Sequence, residues 1–385
     1  MKRIKIALLS ILFLVFLTSC FSSETIDDPA ENQAIYSQMG SDSTKSDSIR
    51  LILTKVVNDG KAPGMIAAIT SSEGLIAIAS AGERKAGSGI AFTTNDVVHI
   101  GSCGKAMTAT MIATLVAEGK LSWDTKLIEA IPELINKIHT DYHKITLWQL
   151  LTHRAGIPRN PSNMRSSRFK EIKKRRLAIV LDNFKSPATH EIGKFRYSNV
   201  GYIIAACMAE QITGKSWEVL MKQRLFDPLG MSSAGFGNPN ISRSTAQPWG
   251  HHKYLRKWRP SEAYYDEVIG PAGRVHCSIA DWAKFLSLQL ASENPILERK
   301  CLDKLIEPVG SYASGWIVEE RAWAKGITLI HDGSNEIWYT LVIVTPEVDR
   351  AFVVATNSCD FGSTPGICTE IMNKLIRMEL DLGNN

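Results

Sequence analysis

Two apolar runs, Gly64 to Thr70 and Leu75 to Ala81, are separated by Ser71-Ser72-Glu73-Gly74. That spacing predicts a hairpin of two strands joined by a Gly-bearing turn, and a helix over about Asp47 to Val57 precedes it. From Ser102 to about Leu290 the pattern changes to helices and loops. A long apolar helix is predicted from Ala106 to Ala117 and another from Val200 to Ile212. Thr146-Leu-Trp-Gln149 has the form of a capping box, and Ser278 with Asp281 three residues on marks a further helix start. Strand signals return at Ile327–Ile330, Trp338–Thr345 and Ala351–Thr356, the last two joined by a turn at Pro346–Asp349. An amphipathic helix over Gly366 to Leu380 closes the chain. Strands at both ends, with a mostly helical region of about 100–295 inserted between them, predict an α/β chain of the α+β kind. Its one antiparallel sheet is assembled from both chain ends and flanked by helices.

The N-terminus follows a different logic. Lys2, Arg3 and Lys5 precede a short apolar stretch, Ile6 to Leu17, which is too short to span a bilayer and has the flanks of a cleaved signal. Leu17-Thr18-Ser19-Cys20 resembles the lipobox of bacterial lipoproteins. The resemblance implies a signal peptide over 1–19, lipidation of Cys20 and a polar tether over 20–45. The folded domain then covers 46–381. The expected location is the bacterial cell envelope, facing the periplasm, with membrane contact through the lipid anchor. Phe21 rather than an Asp follows the cysteine, so no inner-membrane retention signal is apparent and the outer membrane is the expected site, with a secreted protein as the alternative.

Composition narrows the classes. Hydrophobic residues make up 44% of the 385, enough for a sizeable core and too many for a disordered chain. The formal net charge is only +5, with no concentrated basic face of the kind a nucleic-acid binder carries. The one dense run, Lys170 to Arg176, reads as a solvated helix face. Apart from Cys20, six cysteines remain in an oxidising compartment, and Cys359 and Cys368, flanking one short loop, are the expected disulfide pair. Cys103 and Cys207 lie in apolar helical stretches and read as buried thiols. Neither C-x-x-C nor H-E-x-x-H spacing occurs, so no metal and no cofactor is expected.

Three short elements carry the candidate chemistry. Ser102-Cys-Gly-Lys105 opens the long apolar helix and places Lys105 one turn from Ser102 on the same face. A serine hydroxyl needs a nearby base. A lysine serves as that base only if its pKa falls by roughly 3 units, about 4 kcal/mol, which burial beside other cations can supply. Tyr197-Ser-Asn199 offers a phenol that can relay a proton and an amide that can orient a substrate amide. His331-Asp-Gly-Ser334 ends a late strand, where Gly333 admits close backbone approach. His331 there can bind a carboxylate if protonated or donate a hydrogen bond if neutral.

In order and context the three elements resemble the S-x-x-K, S-D-N and K-T-G motifs of the serine β-lactamase and penicillin-binding-protein family. The Tyr-Ser-Asn form is similar to the branch of class C β-lactamases, D,D-carboxypeptidases and related esterases. So are Ile145–Pro158, Phe226–Met231 and Gly270–His276. The resemblance covers roughly residues 45 to 380 and implies a β-lactamase/transpeptidase-like fold. It also implies Ser102 as acylated nucleophile, with Lys105 and Tyr197 as the proton-transfer pair. Asn199, His331, Gly333 and Ser334 would bind substrate, with the backbone N–H groups of Ser102 and Ser334 forming the oxyanion hole. His153 matches a motif histidine read as structural. His331-Asp-Gly departs from K-T-G: it lacks the permanent cation and the hydroxyl that hold a substrate carboxylate. The expected activity is hydrolysis of a small-molecule, ester, amide or peptide substrate through a Ser102 acyl-enzyme. A true class C-like β-lactamase or D,D-carboxypeptidase is one alternative, and a non-turnover wall-binding or sensor lipoprotein is another.

Overall fold

The computed structural model describes residues 45–380, apart from 163–168, 241–244, 263–265 and 294. The expected leader over 1–19, the lipidation site Cys20 and the tether up to 44 lie outside the described residues. Every described element, and the core they bury, belongs to one compact unit beginning at Lys45.

Helix α1 (Lys45–Asn58) buries Ile49, Ile52, Leu53 and Val56, an i, i+3, i+4, i+7 stripe. It lies on the hairpin of β1 (Gly64–Ser71) and β2 (Gly74–Gly82). Strand β3 (Val97–His99) leads through a single tight turn, Gly101–Cys103, into α2 (Gly104–Ala117). Then come α3 (Leu147–Leu151), α4 (Ile172–Asn183) and α5 (Asn199–Thr213). Thr146 and Gln149 form the anticipated capping box of α3, and Ser198 caps α5. Short strand β4 (Gly235–Phe236), a second hairpin of β5 (Gly250–Tyr254) and β6 (Lys257–Ser261), and β7 (Val275–Ser278) interrupt the helices. Helix α6 (Ile279–Leu290), capped by Ser278, precedes the late strands β8 (Ile317–Arg321), β9 (Gly326–Ser334), β10 (Tyr339–Thr345), β11 (Arg350–Thr356) and β12 (Ser358–Cys359). Helix α7 (Thr364–Leu380) is the last described element.

The main sheet has the order β2-β1-β11-β10-β9-β8 and is antiparallel throughout, so the chain ends meet at the β1–β11 pair. Helices α1 and α7 cover one face, while α6 packs on the other beside the helical region. Strand β1 is buried along its whole length, as a central strand covered on both faces must be. Helices α2 and α5 are apolar all round and nearly fully buried, which makes them the centre of the helical half.

Three expectations need correction. The region 100–295, read as helices and loops, also contains strands β4 and β7, which form a small sheet with β3 from just before it, and the β5–β6 hairpin. Lys170–Arg176 is not a uniformly solvated face. Arg175 donates to both oxygens of Asp266 at 2.6 Å, and Arg176 is fully buried between Glu210 (2.5 Å) and Glu218. Arg176 shares a helix stripe with the buried Ile179 and Val180, so α4 turns that one cation inward onto α5. Nor do Cys359 and Cys368 form a disulfide, because the six described cysteines are all free thiols. Cys359 accepts a hydrogen bond from the Ser334 hydroxyl (3.3 Å), and Cys368 is buried on the sheet-facing side of α7.

Candidate active site

The turn from β3 into α2 is built to bring a helix N-terminus against the end of β9. Gly101 has φ +53°, a conformation that disfavours any side chain. A Cβ there would lie 2.5 Å from the Ser334 nitrogen, and a Cβ on Gly333 would lie 2.9 Å from the Ser102 nitrogen. Glycine thus faces glycine, and the backbone amides of Ser102 and Ser334 come close together at the head of α2. Gly104, unexplained by helix propensity, has its own reason: a Cβ would stand 3.3 Å from Val275 on β7.

Lys105, the second residue of α2, is fully buried. Its Nζ lies 2.6 Å from the Ala272 carbonyl, 2.8 Å from Asn199 Oδ1 and 3.1 Å from Ser102 Oγ. Burial first, and the charge of Arg159 second, hold the amine well below its ordinary value of 10.5. A neutral lysine has two N–H groups and one lone pair. The two shortest contacts are to obligate acceptors; once the amine is neutral they take its N–H groups, and the lone pair is left for the Ser102 hydroxyl. That is the geometry of a general base. Ser102 lowers the Tyr197 phenol a little, but burial outweighs it and keeps the phenol above its ordinary value, hence protonated.

Asn199, the first residue of α5, is held from both ends. Its Oδ1 accepts from Lys105, and its Nδ2 donates to Asn160 Oδ1 at 2.7 Å. The acceptor the sequence offered to a substrate amide is therefore taken, and one amide N–H remains. The Asn199 backbone N–H donates to the Arg159 carbonyl (2.7 Å), and the Arg159 guanidinium stands 5.2 Å from the Tyr197 ring centre. Arg159, Asn160 and the Ala272 carbonyl were not foreseen. The first two follow directly on Gly156-Ile-Pro158, a turn that returns the chain to the cleft. Ala272 sits in the Gly270-Pro-Ala-Gly273 segment.

His331 departs most from expectation. It is only 3% exposed, and both ring nitrogens are engaged. Nδ1 lies 2.6 Å from the Asp332 carbonyl and so carries the proton, while Nε2 accepts from the Tyr312 hydroxyl at 3.3 Å. Burial, and after it the neighbouring Lys105, pull its pKa down to about 3. The ring is neutral, and its single N–H is used within the protein, so neither foreseen mode of substrate binding is open to it. Asp332 is raised to about 6 by burial, countered by a hydrogen bond with Tyr339. His153, at φ +61°, accepts the Ser198 backbone N–H at 3.1 Å and packs on the Tyr197 ring at 4.4 Å. It holds the Tyr197-Ser198-Asn199 turn in place. Among the described residues no group of three His, Cys, Asp or Glu side chains is placed to hold a metal ion.

The sequence profile of the family described as Beta-lactamase matches residues 49–365. Penicillin-binding protein 4 of Amycolatopsis lactamdurans is 24% identical over 334 residues, 82% of this chain and 84% of that protein. The unguisins hydrolase of Aspergillus campestris (strain IBT 28561) is 23% identical over 312 residues, 75% of this chain but only 57% of that protein. Among solved structures, the octameric penicillin-binding protein homologue from Pyrococcus abyssi superposes with a TM-score of 0.72 at 22% identity. The match covers 88% of this chain and 78% of that one, a likeness of fold.

Proposed function

The chain belongs to the Beta-lactamase family, and on that footing we propose that this serine hydrolase cleaves esters or amides that carry no carboxylate beside the scissile bond on the β9 side. Ser102 attacks the carbonyl carbon while the Lys105 lone pair takes its proton. The N–H groups of Ser102 and Ser334 receive the oxyanion. Tyr197 passes its proton to the departing alcohol or amine and regains one from Lys105. The same groups, run in reverse order, activate the water that releases the acid and restores Ser102.

One observation carries the substrate class. The place where a K-T-G motif would present a permanent cation holds a buried neutral His331 whose ring nitrogens are both occupied. A substrate carboxylate at that place would meet no compensating charge, and Asp332 beside it adds none. A neutral, buried Lys105 also counts against a binding protein without turnover, which has no use for a deprotonated amine at its serine. The same proposal places the chain at the cell envelope through lipid on Cys20, and loss of labelled palmitate incorporation in Cys20→Ala checks that part.

The test is hydrolysis of p-nitrophenyl butyrate and nitrocefin side by side, with Ser102→Ala as background. Ester turnover with little nitrocefin cleavage is expected. Nitrocefin turnover comparable to that of dedicated resistance enzymes would overturn the reading and make the chain a β-lactamase in activity.

A further inference from the structure

The β5–β6 hairpin, which the catalytic reading leaves unused, has an inner and an outer face. The register pairs His251 with Pro260, His252 with Arg259, Lys253 with Trp258 and Tyr254 with Lys257. By alternation His251, Lys253, Trp258 and Pro260 share the inner face, and the contacts agree. The His251 ring bridges the Asn357 carbonyl (2.7 Å) and the Ala86 N–H (3.0 Å). Lys253 meets Asp360 at 3.4 Å, and Trp258 Nε1 donates to the Gly60 carbonyl at 3.1 Å. These contacts fasten the hairpin to the body. The outer face carries Tyr254, Lys257 and Arg259, with Leu255 and Arg256 at the tip. Tyr254 is 60% exposed and Leu255 80% exposed.

The tip itself is unusual. Leu255 (φ +45°) and Arg256 (φ +62°) are the two residues of a type I′ turn, positions that favour Asn and Gly. Two bulky side chains are therefore held in the left-handed region in order to stand in water. No acidic residue occurs between Gly250 and Ser261. Among the described residues no carboxylate pairs with Arg256, Lys257 or Arg259. Protection of the β6 edge against strand pairing would account for Lys257, Arg259 and Pro260. It does not account for Leu255 and Tyr254, since edge protection asks for a polar tip.

An apolar tip with an aromatic behind it and a collar of unpaired cations is complementary to one surface chemistry: an apolar layer beneath anionic head groups. We propose that the β5–β6 hairpin docks onto an anionic lipid surface, with Leu255 and Tyr254 entering the interfacial layer and Arg256, Lys257 and Arg259 lying against head-group phosphates. The hairpin is prefastened, so docking orders little chain. Its base pairs with β12, whose Cys359 accepts from the Ser334 hydroxyl, so the hairpin is joined through β12 to the Ser334 rim of the cleft.

The test uses the unit from residue 45 onward, which omits Cys20 and so excludes the lipid anchor, in sedimentation with phosphatidylcholine vesicles with and without phosphatidylglycerol. Binding to the anionic vesicles alone, lost at high salt, is expected, at about fivefold per cation. The discriminating variant is Leu255→Asn with Arg256→Gly, which installs the favoured turn sequence. Its thermal midpoint should hold or rise and its p-nitrophenyl butyrate turnover stay unchanged, while vesicle binding falls at least about tenfold. Equal binding by variant and parent overturns the proposal, as does equal binding to neutral and anionic vesicles, or no binding by the parent.

Discussion

Replacing Gly333 by alanine tests the oxyanion arrangement with a single carbon atom. Gly333 lies outside the left-handed region, so alanine meets no conformational penalty and its whole effect is steric. The added Cβ would stand 2.1 Å from the Ile100 carbonyl oxygen and 2.9 Å from both the Ser102 nitrogen and Thr340 Oγ1, where ordinary contact begins at 3.4 Å. Backbone is rigid at both ends of this contact. Either the end of β9 retreats or the turn that carries Ser102 moves, by about 1 Å, and a misplacement of that size costs about a hundredfold in rate. Complete loss of one oxyanion donor costs about 10²–10³ in kcat, which sets the upper end. The expected result is a fall in kcat/KM on p-nitrophenyl butyrate of about 10²–10³, carried by kcat with KM little changed, since the lost contact is made in the transition state. Overpacking should also lower stability by about 1–3 kcal/mol, well short of unfolding the domain. Gly366→Ala in α7 is the control: no atom lies within 4 Å of its added carbon, so activity should not move. A folded Gly333→Ala protein that keeps its kcat/KM within a few-fold would refute the pairing of the Ser102 and Ser334 amides as the oxyanion hole.

Two further outcomes follow from the charges around the site. Asp332 has its folded pKa raised to about 6 from an ordinary 3.8, so the folded state favours the acid form. Stability from this group is fully present below 3.8, declines as pH rises through the window and is gone above about 6, a loss of roughly 3 kcal/mol. Asp332→Asn should remove that slope in urea unfolding on either side of the window and be the more stable protein at neutral pH; parallel pH dependences would contradict the assignment. Arg159→Met takes a positive charge away from Lys105, so the lysine pKa rises and the acid limb of kcat/KM against pH moves upward, by up to about one unit. An unmoved limb would mean that burial alone sets the Lys105 protonation state.

What could be read in the sequence was local. Ser102 and Lys105 are one helical turn apart whatever the rest of the chain does, and the Gly-bearing turn, the capping box and the Ser278 cap are settled within four residues. The late strands were legible because their apolar runs are continuous. The failures share the opposite property. The β5–β6 hairpin carries Leu255-Arg256 where turn chemistry asks for Asn-Gly, so its signal was hidden by the feature that makes it unusual. Arg176 looked like one more cation in a basic run, and only its place on the stripe with Ile179 and Val180 turns it inward. Cys359 and Cys368 are near in sequence and close enough for one to act electrostatically on the other, yet on strand β12 and helix α7 they remain free thiols. Arg159, Asn160 and the Ala272 carbonyl come from segments that only the tertiary fold brings to the lysine.

The substitution at His331 and the presence of Arg159 are linked through one electrostatic requirement. The base at Ser102 must be a neutral amine, and burial is its principal cause here. A second cation nearby assists, and K-T-G would supply it from β9, where the same cation would also attract a substrate carboxylate. In this chain β9 supplies an uncharged ring, and the assisting charge comes from Arg159, beside Tyr197 and Asn199. The two tasks of that lysine are thereby separated. Lys105 keeps a cationic neighbour, while the β9 side of the cleft has lost the positive charge that selects carboxylates. A change confined to the catalytic base would have required a compensating residue among the described groups on β9, and that strand offers only the neutral His331 and the acidic Asp332. On the function proposed above, the departure from the motif is a change of specificity laid over a retained serine–lysine–tyrosine arrangement.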